Sequence, residues 1–250
     1  MKFLQSLPKP KYAGPVLQLS KYTAALAPTP AKVYWEYKVP PGEWGMMGND
    51  TVGDCEVARA GHIIMETTAH TGTMVVPTTA QMVAVYSAIT GYDPSQTQPD
   101  GSNPTDVGMA TPDLMNYWQT TGIVGHKIAG WVQVASTQAA IEQAIWLFGA
   151  AALDIAVYQS MMDQTNAGQA WDNPSGDLLG YHAIPGMGFG SAGLTNVTWG
   201  QLQQVGWPTL LQILQGVYAA VTQDWIEQNG NAPNGFDLAA LLSDLQAVGT

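Results

Sequence analysis

The chain of 250 residues has one cysteine, Cys55, so it can close no disulfide within itself. Its stability has to come from packing, and it needs no oxidising compartment. Charge is scarce and one-sided, with 8 Lys and Arg against 19 Asp and Glu and a formal net charge of −11. Lacking a basic field, the chain has no means of capturing phosphate backbones or anionic membranes, so neither nucleic acid nor membrane is expected as a partner. The longest apolar run, Ala144 to Tyr158, is too short to span a bilayer and contains Asp154. At the start, Pro8 interrupts the chain before a signal-type apolar region develops. A cytoplasmic or virion-associated protein is the expectation. No Cys/His cluster has zinc spacing, and Asp93, Asp100 and Asp106 do not follow the EF-hand pattern, so no metal and no cofactor are expected.

What is present suffices for one sizeable core, since 46% of the residues are hydrophobic. Residues 1–43, broken by Pro8, Pro10, Pro15, Pro28, Pro30, Pro40 and Pro41, read as an N-terminal arm over a core domain spanning 44–200. Helical patterns follow at Cys55 to His70, at Thr78 to Thr90 with Thr78 as cap and Gly91 as stop, at Thr111 to Thr120 with Pro112 in the first turn, and at Thr137 to Gly149. Strand patterns come next: Ala151 to Tyr158, the stretch before Trp171, Tyr181 to Phe189 and Leu194 to Trp199. Helices first and a mainly antiparallel sheet afterwards make an α+β fold. Residues 201–250 read as a C-terminal extension packed on the core, ending in a helical pattern from Asp237 to Val248. Gly188 to Gly193 satisfies GxGxxG, but a strand pattern follows it where a dinucleotide site needs a helix, so it reads as a hairpin turn.

Chemistry concentrates at Gly48-Asn49-Asp50-Thr51-Val52-Gly53-Asp54-Cys55, where a glycine-containing loop hands over to the first helix. Unpaired N–H groups and the partial positive charge of a helix N-terminus favour an anion, so a cysteine there is expected to have a lowered pKa. Four histidines could serve it. His62 lies seven residues along the same helix, out of reach of the sulfur, and His70 and His126 read as structural. His182 enters a strand after the loop Asn173-Pro174-Ser175-Gly176, a rigid mount for an imidazole that takes the thiol proton and returns it to a leaving group. Arg59, one turn beyond Cys55, reads as a surface salt-bridge residue, with thiolate stabilisation as the sharper alternative.

Gly48-Asn49 followed by Gly53-Asp54-Cys55, His182-Ala183 followed by Gly188-Phe189-Gly190, and Val197-Thr198-Trp199-Gly200 resemble three motifs of the papain-like cysteine peptidases, in the same order and spacing. The resemblance covers about residues 33–200. It implies a helical half, with the Cys55 helix at its centre, packed against a sheet half. It implies Cys55 as nucleophile, His182 as base, Asn49 as oxyanion donor and Trp199 as the indole shielding the histidine, with Gly53, Asp54 and Asn196 in support. The family's histidine-orienting asparagine falls on Val197, which cannot hydrogen-bond; Asn196 stands next to it. The resemblance implies a hydrolase acting on a peptide or protein substrate at a peptide or related amide bond. A second expectation, motivated by Val197, the low charge, the arm and the tail, is a catalytically weakened fold serving as a structural or binding module, for example a particle component that self-associates through arm and extension.

Overall fold

The computed structural model describes residues 17–23, 28–229 and 238–248; Pro8, Pro10 and Pro15 of the expected arm lie outside them. Among the described residues, seven strands form one sheet: β1 Val33–Tyr34, β2 Ile128–Gln133, β3 Ala151–Tyr158, β4 Leu178–Gly190, β5 Gly193–Thr198, β6 Gln201–Gly206 and β7 Leu214–Thr222. Their order is β2-β7-β3-β4-β5-β6, with β1 on β4, and these ladders are antiparallel. Helices α1 Cys55–Thr71, α2 Thr79–Thr90 and α3 Thr111–Thr120 precede most of it; α4 Gln138–Phe148, α5 Gln159–Asn166, α6 Trp207–Ile213, α7 Gln223–Asn229 and α8 Leu238–Val248 are interleaved with or follow the strands. This is the expected α+β arrangement.

The helix boundaries follow from local chemistry. At α2, Thr78 Oγ1 accepts the Gln81 N–H while the Gln81 side chain accepts the Thr78 N–H, and Gly91 closes the helix at φ +78°. Thr137 caps α4 in the same sense. Helix α1 is buried from Cys55 to Thr68, as a helix at the centre of a core must be. Gly61 lets it approach the preceding loop, because a Cβ there would lie 2.4 Å from Met47 Sδ.

The sheet buries both faces, and the side-chain alternation of its strands sorts residues between two cores. In β3, Leu153, Ile155 and Val157 join Ile141, Ile145, Leu210 and Phe189, whereas Ala152 joins the α1–α3 side with Ile64, Met82 and Leu114. In β7, Val217, Ala219 and Val221 take the first side and Tyr218 and Ala220 the second.

Two readings of the sequence change here. The stretch before Trp171 holds a helix, α5, whose Met161, Met162 and Thr165 turn inward at three-to-four residue spacing. The sheet also runs on past residue 200, because β6 closes one edge and β7 lies between β2 and β3. A boundary at 200 therefore falls within a continuous sheet.

Candidate active site

Cys55 is the first residue of α1, and Asp54 is its N-cap. Its side chain packs on Ala183 of β4, the neighbour of His182, and a backbone hydrogen bond from Ala183 reaches the sulfur. Cys55 and His182, 127 residues apart in sequence, line one small cavity of about 10 Å³, together with Asn49, Val197, Thr198 and Trp199. That is room for at most about one water molecule. Each of the two is only 3% exposed.

The electrostatics run against the expectation of a lowered thiol pKa. Burial pushes the Cys55 thiol up, Glu56 and Asp54 push the same way, and Ala183 and Arg59 offset only part of it. The helix N-terminus is present, but removing the sulfur from water outweighs it. Burial also lowers the His182 pKa to about 3, with Arg59 and then His62 adding to the effect. The resting pair is therefore a neutral thiol and a neutral imidazole.

His182 is fixed on two sides. Its Nε2 lies 2.8 Å from Thr198 Oγ1, and its ring stacks on the Trp199 indole at 4.8 Å between centroids and 13° between planes. Both partners come from the end of β5. The two residues between Thr198 and its ladder partner Gln201 are Trp199 and Gly200, with φ of +46° and +73°. That is the pair of left-handed residues a two-residue primed hairpin requires, and it is unusual for an indole to sit there. Gly200 leaves a side chain only a tight fit, since a Cβ would be 3.1 Å from the Gly45 carbonyl carbon.

Thr198 is the partner that sequence reasoning missed. Val197 lines the cavity without a polar atom, and Asn196 does not turn to the histidine: its Nδ2 donates to the Gln203 carbonyl oxygen at 2.9 Å. The only signal in the sequence was a hydroxyl residue one position beyond Val197.

On the other wall, Asn49 is buried and its amide donates to the Val52 carbonyl oxygen over 3.4 Å, a long bond. The Gly53 N–H donates to the Asp106 carboxylate at 3.0 and 3.1 Å, and the Tyr86 hydroxyl donates to the same group at 2.7 Å. Asp54 is wholly buried; burial raises its pKa well above the usual carboxylate range, and the Asn49 amide offsets part of that. His62 pins the loop to α1, its Nε2 within 3.0 and 3.1 Å of the Trp44 and Gly45 carbonyl oxygens, and burial lowers its pKa to about 4. His70 Nε2 meets the Trp35 carbonyl oxygen, and His126 Nδ1 meets the Asp224 carboxylate.

Arg59 is not a surface residue. It is 1% exposed and donates to Asp154 Oδ1 at 2.8 Å, to the Leu153 carbonyl oxygen at 3.3 Å, and to Glu56 Oε2. Thr111 Oγ1 joins the cluster, and Arg59 also lines the cavity.

No protein-family model and no curated protein matches the sequence. Solved structures do match the fold. Xylellain, a cysteine protease from Xylella fastidiosa, superposes with a TM-score of 0.62 at 14% identity over 87% of this chain and 95% of that one. A procathepsin B from Trypanosoma congolense gives 0.57 at 10% identity over 89% and 87%. The cysteine protease and lectin-like domains of Cwp84 from Clostridium difficile give 0.56 at 9% identity over 88% and 55%. The chain has the papain-like fold.

Proposed function

We propose that this chain is a papain-like cysteine hydrolase acting on a peptide or protein substrate at a peptide or related amide bond. The observation that carries the reading is the shared cavity. With Nε2 on Thr198 and one ring face on Trp199, the imidazole keeps Nδ1 as the nitrogen for the thiol. Nε2 then holds the ring proton and donates it to Thr198 Oγ1, leaving Nδ1 an acceptor. Because both groups are neutral at rest, the proton moves from Sγ to Nδ1 as sulfur attacks the carbonyl carbon. The Cys55 backbone N–H, in the first turn where N–H groups have no partner within the helix, and the Asn49 amide, turned from Val52 and Asp54, stabilise the oxyanion. Collapse breaks the C–N bond, and the amine leaves with the proton from Nδ1. Water, deprotonated by Nδ1, then cleaves the thioester and restores the thiol.

Labelling the thiol cannot test this reading, because Cys55 is the sole cysteine. Turnover can. Hydrolysis of peptide amides and activated peptide esters is expected in the wild type, with a fall of about a hundredfold or more in Cys55→Ser and His182→Ala. Unchanged turnover in either variant would remove that residue from the chemistry.

The small volume of the cavity and the neutral pair favour a second reading, in which the fold serves as a structural or binding module such as a virion or particle component. It predicts no turnover of any peptide by the wild type, together with concentration-dependent association in light scattering. A monomer that turns substrate over would exclude it.

A further inference from the structure

Beneath Cys55 lies a buried polar cluster that the proposed reaction does not use. It joins three elements: Glu56 and Arg59 of α1, Thr111 of α3 and Asp154 of β3. All four side chains are buried, and Arg59 is the only arginine in the chain. Its guanidinium bridges the two acids, with Nη1 on Asp154 and Nη2 on Glu56. One cation therefore faces two carboxyl groups in a buried region, where an uncompensated charge is strongly disfavoured.

The hydroxyl of Thr111 makes the protonation count decisive. Oγ1 lies 2.8 Å from Glu56 Oε1, and 2.8 and 2.9 Å from the two oxygens of Asp154. A hydroxyl carries one hydrogen and can donate to one acid. A second oxygen at 2.8 Å is attractive only if it brings its own hydrogen, so one of the two acids is protonated. With Arg59 charged, a single proton also makes the cluster neutral. Two features place it on Glu56: Asp154 has both oxygens on Thr111 as well as a guanidinium bond, and burial holds the Glu56 carboxyl up at about 8 even against Arg59.

We propose that Glu56 is a positioning residue for the nucleophile: a carboxylic acid at rest, held by Thr111 and Arg59, whose proton keeps the ground beneath Cys55 neutral so that sulfur can lose its own proton on attack. This rests on the assignment of Cys55 as nucleophile. Loss of the Glu56 proton to solvent places an anion beside the thiol and opposes thiolate formation. The charged or titratable groups that face Glu56 are Arg59 and Cys55 from α1, Asp154 from β3 and Tyr218 from β7; His182 from β4 faces Arg59. Tyr218 is pushed up to about 12 by burial and then by Asp154, so it stays neutral through the range concerned.

The test is the pH dependence of Cys55 alkylation by iodoacetamide in the wild type and Glu56→Gln, with peptide turnover measured alongside. Glutamine has the donor of the acid and cannot ionise. The two proteins are expected to react alike near pH 6, and Glu56→Gln to react about threefold to tenfold faster above about pH 8, where only the wild type gains the charge. Superimposable curves throughout, or the same ratio already present near pH 6, would overturn the proposal. Should Glu56→Gln not fold, the Glu56 carboxyl carbon resonance of the wild type labelled on glutamate alone, identified by its displacement in Thr111→Val, replaces it. A carboxylic-acid position near pH 6 that moves to the carboxylate position through about 8 is expected, and a carboxylate position near pH 6 overturns the proposal. Neither readout needs turnover. If the hydrolase reading fails, turnover is absent while these curves stand; if the Glu56 assignment fails, the curves are wrong while turnover persists.

Discussion

Thr198 does for His182 what Val197 cannot. The hydroxyl 2.8 Å from Nε2 holds the ring plane, and in the proposed tautomer it accepts the Nε2 proton. Thr198→Val keeps the shape and removes the acceptor. It is expected to cost about 1–2 kcal/mol of stability and to lower turnover about tenfold or more, whereas Thr198→Ser keeps most of the activity. Equal activity in Thr198→Val and wild type would show that the stacked Trp199 alone holds the ring. The sequence singles out Cys55, His182, Asn49 and Trp199 because each sits in a motif at a fixed spacing, and the fold brings the four to one cavity. Sequence reasoning did not find Thr198, because which hydroxyl reaches the imidazole depends on the twist of β5 beside β4. Nor did it find the burial of Arg59, whose partners Thr111 and Asp154 lie far along the chain and meet it only when α1 packs on the sheet.

The site hangs on two hairpins. The β4–β5 turn holds the strand of His182 against that of Thr198, and the β5–β6 turn aims Trp199 at the imidazole. Gly193, which opens β5, has no space for a side chain: a Cβ would stand 2.1 Å from the Val205 carbonyl oxygen in the neighbouring strand. Gly193→Ala must push β6 from β5, and a loss of about 2 kcal/mol or more in chemical denaturation is expected, with turnover falling beyond what stability explains. A variant as stable and as active as the wild type would mean that the hairpin does not constrain the site. Helices with explicit caps, such as α2 behind Thr78 and α4 behind Thr137, were legible in the sequence. Helix α5 was not, because its polar positions dominate and only Met161, Met162 and Thr165 mark an inward face. Strand β7 was hidden because it is buried on both faces and so shows no alternation.

Across the molecule, packing both faces of the sheet has buried several acids. Burial raises the pKa of Glu36, Glu56 and Asp54, and of Glu66, which has neither carboxyl oxygen hydrogen-bonded among the described residues. The unfolded chain releases these protons above about pH 4.5 while the folded chain keeps them, so stability falls as pH rises from there through each folded pKa. His62 and His182 act oppositely: the folded chain refuses protons that the unfolded chain takes below about pH 6.5, so stability is lost as pH falls toward about 4 and 3. Above about pH 6.5 only the acids contribute, and the melting temperature is expected to fall between there and about pH 8. Burial raises the Glu66 pKa, so Glu66→Gln should lessen that fall; a melting temperature that rises over the interval would contradict the account.

The proposed pairing of the Cys55 thiol with His182 Nδ1, on a ring whose Nε2 meets Thr198, is read most directly by nitrogen NMR of the histidine ring, with His182 assigned through His182→Gln. The account predicts a neutral ring down to about pH 4, protonated on Nε2, whose Nδ1 resonance moves in Cys55→Ala and whose Nε2 resonance moves in Thr198→Val. A ring protonated on Nδ1, or one that titrates near about pH 6.5 and is indifferent to Cys55→Ala, would contradict it.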